Sequence, residues 1–237
     1  MPIAIRTPSP STISNCILWL DASAITGKND GDAISSWTDS SGSSNTATQS
    51  TGAKQPLYKT NIQNGRPSVR FDGLTQILLT PVLSALPAYT LFCVYKVIST
   101  PTNGSVISKN GGAGNVSFRL VYPGSTSFTF ADSNDGTTNS FSKSLVVTNC
   151  VGLSHLVVAG NSGSATNAFH HSDNVDNYYP GISLASFTTT LGVGIGVAPN
   201  NSNYLNMDCF EILIYSRYLT PYEWLNIKQY LKYKWNI

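Results

Sequence analysis

A short strand followed directly by a capped helix, between Phe210 and Trp235, restricts the fold of this chain more than any other feature. The run FEILIY at 210–215 predicts a strand, because β-branched and aromatic residues dominate it and it is too brief for a helix. Thr220 can cap the helix, Pro221 fits the first helical position, and Glu223 completes a capping box. Four apolar residues then share one helical face, namely Trp224, Ile227, Leu231 and Trp235. The run predicts a terminal helix packed against a β structure.

The composition favours an all-β protein with many polar turns. Charged residues are only 11% of the chain, whereas Ser, Thr, Asn and Gly are plentiful, and a usual charged fraction is about a quarter. The net charge is +2 and the lysines and arginines are scattered, so nucleic acid is not expected as a partner. No apolar run approaches membrane-spanning length, so we expect no membrane insertion. Residues 1–10 also lack the charged start and apolar block of a secretory signal.

Four motifs resemble those of laminin-G-like modules in the concanavalin-A-like lectin/glucanase class. They read LWLDAS at 18–23, WTDSSG at 37–42, GRPSVRFDG at 65–73 and EILIYSRYLTPYEWLNIKQYLKYKW at 211–235. The resemblance implies a single antiparallel β-sandwich, a concanavalin-A-like jelly roll with one short C-terminal α-helix. We expect this laminin-G-like domain to occupy residues 13–237, after an extended, proline-containing N-terminal arm at residues 1–12.

Further strands are expected wherever short apolar runs lie between clusters of Gly, Pro, Asn or Ser. The run from Tyr89 to Val97 is apolar on both faces and predicts a central strand. The alternating glycines between Leu191 and Val197 predict a strand with one bare face, against which the terminal helix or a ligand could pack. Trp37 is expected in the core, and Asp39 is expected to shape a turn.

The cysteines are predicted to be free, buried thiols. Cys16, Cys93, Cys150 and Cys209 all lie in or beside apolar runs, with no C-x-x-C spacing. Four cysteines in a chain of this length do not form a disulfide scaffold. A bridge between Cys16 and Cys209 stays open, since the first and last strands could be neighbours.

The carboxylates argue against glycoside hydrolysis, which needs two of them on one face of the substrate site. The chain has only two glutamates, and Glu223 is used in the helix cap. Asp208 lies three residues from Glu211, and this odd spacing in a strand predicts that the two point to opposite faces. We therefore expect no enzymatic activity, and a glycan hydrolase of the same fold is kept as the alternative.

Two loops are candidate binding sites. Laminin-G-like modules often hold calcium in rim loops, and the resemblance makes Asp132, Asn134 and Asp135 the candidate ligands of a calcium ion, the one cofactor considered; the alternative is an ordinary turn rich in Asn and Asp. A second loop combines aromatic rings with side-chain carboxylates and amides, the groups that commonly hold sugars. The predicted carbohydrate-binding residues are Asp173, Asn174, Asp176, Asn177, Tyr178 and Tyr179.

These features together predict a non-enzymatic binding or structural module on the surface of a bacteriophage virion. It would serve as a head-decoration, fibre or receptor-binding subunit, assembled in the host cytoplasm. The expected partners are capsid or tail proteins, other copies of the chain and cell-surface glycans. A bacterial surface adhesin module, located on the bacterial cell surface, is a further alternative.

Overall fold

The structure is a computed structural model that describes residues 9–84, 86–99, 104–110, 116–124, 127–132, 141–146, 151–161, 166–172, 175–182, 192–197 and 203–237. Most of the predicted N-terminal arm, residues 1–8, lies outside this part of the chain. Pro10–Thr12 form a 3₁₀ turn rather than an extended segment. The turn is held because the Thr12 amide and hydroxyl both donate to the carbonyl oxygen of Ser9, at 2.9 and 2.8 Å.

Sixteen strands, one α-helix and three short 3₁₀ helices make up the regular structure of the described residues. The strands are β1 (Cys16–Asp21), β2 (Ser36–Trp37), β3 (Ala47–Thr48), β4 (Leu57–Gln63), β5 (Arg66–Asp72), β6 (Leu78–Leu79), β7 (Tyr89–Val97), β8 (Gly104–Asn110), β9 (Val116–Gly124), β10 (Ser127–Asp132), β11 (Phe141–Val146), β12 (Ser154–Asn161), β13 (Thr166–Ser172), β14 (Val175–Ile182), β15 (Gly194–Ile195) and β16 (Asn206–Tyr215). The helix α1 covers Pro221–Trp235.

The strands form two eight-stranded antiparallel sheets. The first has the order β14-β13-β12-β7-β16-β5-β4, and β1 pairs with residues 211–215 of β16, beyond the part that pairs with β5. The second has the order β11-β10-β9-β8-β15-β6-β3-β2. The predicted β-sandwich with one C-terminal helix is therefore confirmed.

The core lies between the inner faces of the two sheets. Alternate residues of β7 and β16 enter it from the first sheet, and β6, β8 and β15 contribute from the second. Among its fully buried members are Leu18, Trp37, Phe71, Leu91, Tyr95, Ile107, Ile195, Cys209 and Ile212. Burying side chains of this size contributes about 1.5–3 kcal/mol each, so the core is the main source of stability.

The helix α1 covers the outer face of the first sheet. Its cap is the one that the sequence predicts: the Thr220 side chain accepts from the Glu223 amide, and the Glu223 side chain accepts from the Thr220 amide. Ile227, Leu231 and Trp235 are buried against an outer-face cluster of the sheet. That cluster includes Phe92, Val94, Leu156, Phe210, Leu213 and Tyr215. Strand β7 is thus covered on both faces, as predicted.

The glycine-rich stretch forms only two residues of strand, Gly194–Ile195, within the described range 192–197. A Cβ atom at Gly192 would overlap the backbone carbonyl of Thr80, and one at Gly196 would overlap the Phe71 ring. The expected close packing is therefore present, but its partners are the segment after β6 and strand β5. The terminal helix, which the sequence left open as a partner, lies on the other sheet.

The cysteines of the described residues are free. Cys93 and Cys209 are fully buried in the core, whereas Cys16 is half-buried beside the helix cluster. Cys209 lies in contact with Cys93 rather than with Cys16. The bridge between Cys16 and Cys209 is therefore not formed, and Cys150 lies outside the described residues.

Candidate functional site

The predicted carbohydrate residues do not share one loop. Residues 176–179 belong to strand β14, where Asp176 pairs with His171 and Tyr179 pairs with Ala168 of β13. The loop prediction is wrong for these four residues because Val175, Tyr178 and Tyr179 suit a strand, and antiparallel pairing satisfies their backbone. Asp173 and Asn174 lie outside the described residues. The role of all six residues in sugar binding stays a prediction.

The predicted calcium residues are described only in part. Asp132 is the last residue of β10, paired with Phe141 of β11 and Phe118 of β9. Asn134 and Asp135 lie outside the described residues. Elsewhere, the described part of the chain contains no group of three or more His, Cys, Asp or Glu residues that could hold a metal ion. Calcium binding also stays a prediction.

Asp208 and Glu211 lie on the same face of the first sheet, which corrects the prediction of opposite faces. The pairing of β16 with β7 shifts between Cys209 and Glu211. This irregularity adds one residue to β16, so the alternation of faces is reset between the two carboxylates. Asp208 bonds to Arg70 on the outer face of β5, and Glu211 bonds to the helix on the same side.

Both oxygens of Glu211 are occupied. Oε1 accepts the Trp19 indole N–H at 2.7 Å and the Tyr230 hydroxyl at 3.1 Å. Oε2 accepts the Trp235 indole N–H at 2.7 Å and lies 2.8 Å from the Lys234 ammonium. Glu211 is fully buried, and this burial raises the pKa of its carboxyl above the usual range. The carboxylate therefore holds α1 on the sheet.

Lys234 serves a second carboxylate. Its ammonium lies 2.6 Å from Asp21, which in turn accepts the Ser23 amide and hydroxyl. The buried carboxylates of Asp21 and Glu211 thus share the Lys234 ammonium. They also accept hydrogen bonds from the indole and hydroxyl groups around them. Such a group is costly to break, because removing one partner leaves an uncompensated buried charge.

Glu223 is tied to the start of the helix. Arg217 forms a bidentate pair with it, at 2.6 and 2.8 Å, and the Thr220 amide donates to it at 2.9 Å. The hydrogen bonds from Arg217 lower the pKa of the Glu223 carboxyl from 4.5 to about 2. Both glutamates of the chain are therefore engaged in holding α1.

A cleft beside β3 and β6, here called the glutamine cleft, has a volume of about 510 Å³. It is lined by Ser35, Thr48, Gln49, Ser50, Gln55, Leu79, Thr80 and Pro81. Leu79 and Pro81 form an aliphatic wall, and Leu79 is 40% exposed. Thr48 pairs with Leu79 in register, so a hydroxyl lies beside that wall. The cleft contains no charged side chain among the residues that line it.

The two glutamines of this cleft have one end of each amide fixed. Gln49 Oε1 accepts the Thr51 amide at 3.0 Å, and Gln55 Nε2 donates to the Gln49 carbonyl at 2.8 Å. These partners also fix which amide atom is oxygen and which is nitrogen. Within the described residues, the Gln49 Nε2 donor and the Gln55 Oε1 acceptor keep no partner.

A second cleft, here called the lysine cleft, lies where α1 ends and has a volume of about 370 Å³. It is lined by Gln63, Lys96, Gly152, Leu153, Ser154, Asn236 and Ile237. Gln63 is engaged, since it donates to the Trp235 carbonyl at 2.9 Å and accepts the Ser154 hydroxyl at 3.0 Å. Lys96 is half-buried and forms no ion pair with the described residues.

A third cleft, of about 360 Å³, is lined by Asp21, Ala24, Ile25, Thr26, Lys28, Ser36, Thr38 and Ser40. Its charged groups are already used. Asp21 bonds to Lys234 and Ser23, and the Lys28 ammonium donates to the Ala33 carbonyl at 2.9 Å. Its hydroxyls are therefore the groups left for a ligand.

Many solved structures share this architecture, among them the following three. The binding domain of Paraclostridial Mosquitocidal Protein 1 has a TM-score of 0.57 and 9% identity, over 88% of this chain and 50% of that one. Domain 4 of AbnA, an extracellular arabinanase from Geobacillus stearothermophilus in complex with arabinotriose, has 0.59 and 14%, over 88% and 96%. The botulinum neurotoxin serotype D ligand binding domain, in complex with N-acetylneuraminic acid, has 0.60 and 12%, over 90% and 50%.

The chain has a concanavalin-A-like lectin/glucanase fold. The fold implied by the motif resemblance is thereby confirmed. The chain spans about half the length of the mosquitocidal and botulinum domains, and nearly all of the arabinanase domain. No family profile matches the chain, and no curated protein matches it in sequence.

The residues of the glutamine cleft were not singled out from the sequence. Ser35, Gln49, Gln55 and Leu79 come from separate segments, and each is an ordinary residue in its own surroundings. Their proximity depends on the pairing of β3 with β6, two strands of two residues each. Strands that short leave no periodic pattern from which the pairing could be predicted.

Proposed function

We propose that this chain is a non-catalytic carbohydrate-binding module. The observation that carries the proposal is the glutamine cleft, where an aliphatic wall faces hydroxyls and two half-satisfied amides. A sugar ring offers the matching surfaces, a face of C–H groups and a rim of hydroxyls that donate and accept. The fold is shared with domains solved in complex with arabinotriose and N-acetylneuraminic acid, which supports the same class of ligand.

The non-catalytic part of the proposal is supported by the glutamates. Glycoside hydrolysis places two carboxyl groups on either side of the scissile bond. Glu211 is fully buried with both oxygens bonded, and Glu223 is held by Arg217 and the helix cap. Neither is free to meet a substrate without loss of the bonds that hold α1.

We further propose that the module is displayed on a bacteriophage virion, where it contacts capsid or tail proteins and binds cell-surface glycans. The low fraction of charged residues and the abundance of Ser, Thr and Asn suit a persistently exposed surface. Among the described residues, no helix is long and apolar enough to cross a membrane. Immunogold labelling of purified particles tests this placement, and labelling of the bacterial envelope instead would favour the adhesin alternative.

Binding and catalysis are tested with the same protein preparation. Purified chain is applied to a glycan array with calcium and again with a chelator, using heat-denatured chain as the control. Selective binding by the folded chain supports the proposal, and no binding in either buffer contradicts it. Release of reducing sugar from glucans or arabinans, if lost in Glu211→Gln folded to the wild-type level, would establish the hydrolase alternative.

A further inference from the structure

We infer that the glutamine cleft is the sugar site and that it selects a neutral saccharide over an acidic one. This inference rests on the proposed function, because it names the site and the ligand class of the same binding activity. It is carried by the chemistry of the cleft lining: an aliphatic wall, a free amide donor, a free amide acceptor and no charge.

The leucine of the aliphatic wall is partly exposed on the sheet. Leu79 lies on β6 between Thr48 of β3 and Gly194 of β15, with which it is in register. A Cβ atom at Gly194 would lie 3.5 Å from Leu79 Cδ2. Leu79 therefore lies over Gly194, which is itself buried. The part of Leu79 that remains exposed, 40% of the residue, can pack on the C–H face of a sugar ring.

The free amide groups supply a donor and an acceptor in the same cleft. Gln49 Nε2 donates and Gln55 Oε1 accepts, and their other ends are held by Thr51 and by the Gln49 carbonyl. Because both side chains are already ordered, ligand binding needs little further loss of side-chain freedom. A pair of neighbouring hydroxyls on one sugar can use both groups, since each hydroxyl donates and accepts.

The lack of charge decides between neutral and acidic sugars. A carboxylate bound in the glutamine cleft would lose water without meeting a cation, and burying an unpaired charge is costly. The lysine cleft has the opposite character, because Lys96 lines it without an ion pair from the described residues. An acidic saccharide would therefore be expected at Lys96, and a neutral one at Gln49 and Gln55.

The backbone around the cleft is fixed by close contacts. The Thr80 hydroxyl accepts the Val193 amide at 2.8 Å and donates to the Pro81 carbonyl at 2.9 Å. Gly192 lies against the Thr80 carbonyl so closely that a Cβ atom would overlap it. The Pro81 side of the cleft is thus held in place before any ligand binds.

The test measures affinity of the full chain for neutral gluco- and arabino-oligosaccharides and for sialylated and uronic-acid oligosaccharides. The decisive variant is Gln49→Glu, which keeps an oxygen for the Thr51 amide and replaces the free donor by an acceptor of the same size. A second variant, Leu79→Ser, removes the leucine part of the aliphatic wall. Each should weaken neutral-glycan binding about tenfold or more, since each removes a group that the bound sugar contacts.

Two matched controls locate the site. Leu74→Ser alters a leucine that is 72% exposed and does not line the cleft. Lys96→Gln removes the ammonium of the lysine cleft. Both should leave neutral-glycan affinity unchanged, and thermal unfolding of every variant verifies that it is folded. Leu79→Ser keeps the test decisive if Gln49→Glu unfolds.

The outcomes separate the inference from the proposed function. Neutral-glycan binding that is lost in the two cleft variants and kept in the two controls supports both. Binding restricted to acidic glycans and lost in Lys96→Gln would overturn the inference while the carbohydrate-binding function stands. Neutral-glycan binding that is unaffected by both cleft variants would likewise overturn the inference alone. Absence of binding by the folded wild-type chain overturns both.

Discussion

Trp19 in the first strand donates its indole N–H to the Glu211 carboxylate in the last strand, with 2.7 Å between Nε1 and Oε1. Trp235 at the end of α1 donates to the other oxygen of the same carboxylate, also at 2.7 Å. The buried Glu211 side chain of β16 thus forms hydrogen bonds with both β1 and α1. The strands β1 and β16 and the helix α1 are therefore coupled through a polar group as well as by hydrophobic contact.

Replacing Glu211 by alanine should destabilise the protein strongly. The change removes the acceptor of two indole N–H groups, and among the described residues it leaves Asp21 as the one carboxylate paired with Lys234. Breaking a buried pair of this kind costs about 3–5 kcal/mol. Chemical denaturation followed by tryptophan fluorescence measures the loss in the free energy of unfolding. Trp19→Phe is the matched control, since it removes one donor and should cost about 1–2 kcal/mol; equal losses for the two variants would contradict this role of Glu211.

The Glu223 pair with Arg217 should make stability depend on acid pH. Folding lowers the pKa of Glu223 from 4.5 to about 2. Because the folded-state pKa is the lower one, the contribution is fully present above pH 4.5 and is lost as pH falls through about 2. The pair is partly exposed, so its contribution should be on the order of 1 kcal/mol.

The measurement is the difference in the free energy of unfolding between wild type and Glu223→Gln across this pH range. The difference should be constant above pH 4.5 and shrink towards pH 2. A difference that stays constant down to pH 2 would show that the pair with Arg217 does not stabilise the fold. Arg217→Gln should reproduce the loss seen in Glu223→Gln.

The helix and its cap could be predicted because their determinants are local. Thr220, Pro221 and Glu223 lie within four consecutive residues, and the cap forms as they specify. The irregularity in β16 could not be predicted, because the register against β7 depends on contacts between distant strands. That one extra residue places Asp208 and Glu211 on the same face instead of on opposite faces, which shows how strictly a strand pattern depends on unbroken pairing.

The candidate site could be predicted from the sequence less well than the fold. The sequence predicts a loop for the acidic, amide and aromatic residues at 176–179, but they pair as a strand with β13. In the glutamine cleft, by contrast, the side chains of Gln49 and Gln55 form hydrogen bonds with nearby backbone groups. Leu79, which lines the same cleft, comes from another segment. Neither glutamine belongs to a recognisable motif, so only the three-dimensional arrangement reveals which amide groups remain free.

The thiols of Cys16, Cys93 and Cys209 should react slowly in the folded protein. Cys93 and Cys209 are fully buried, and burial raises the pKa of the half-buried Cys16 thiol to about 12. Since the thiolate is the reactive form, alkylation of Cys16 at pH 8 should be more than about a hundredfold slower than that of a free thiol. Peptide mass spectrometry after iodoacetamide treatment measures each site, with urea-unfolded protein as the control. Rapid labelling of Cys93 or Cys209 would contradict the core assignment.

Gly192→Ala should destabilise the fold and weaken glycan binding together, because the new methyl group would overlap the Thr80 carbonyl and displace the Pro81 side of the glutamine cleft. Overpacking against backbone costs about 1–3 kcal/mol. Gly52→Ala is the matched control, since nothing lies within 4 Å of a Cβ atom there and its backbone angle is ordinary. It should change the free energy of unfolding by less than about 1 kcal/mol. Thermal unfolding and oligosaccharide titration of the two variants measure both effects, and a Gly192→Ala protein with wild-type stability would show that this contact is looser than the structure indicates.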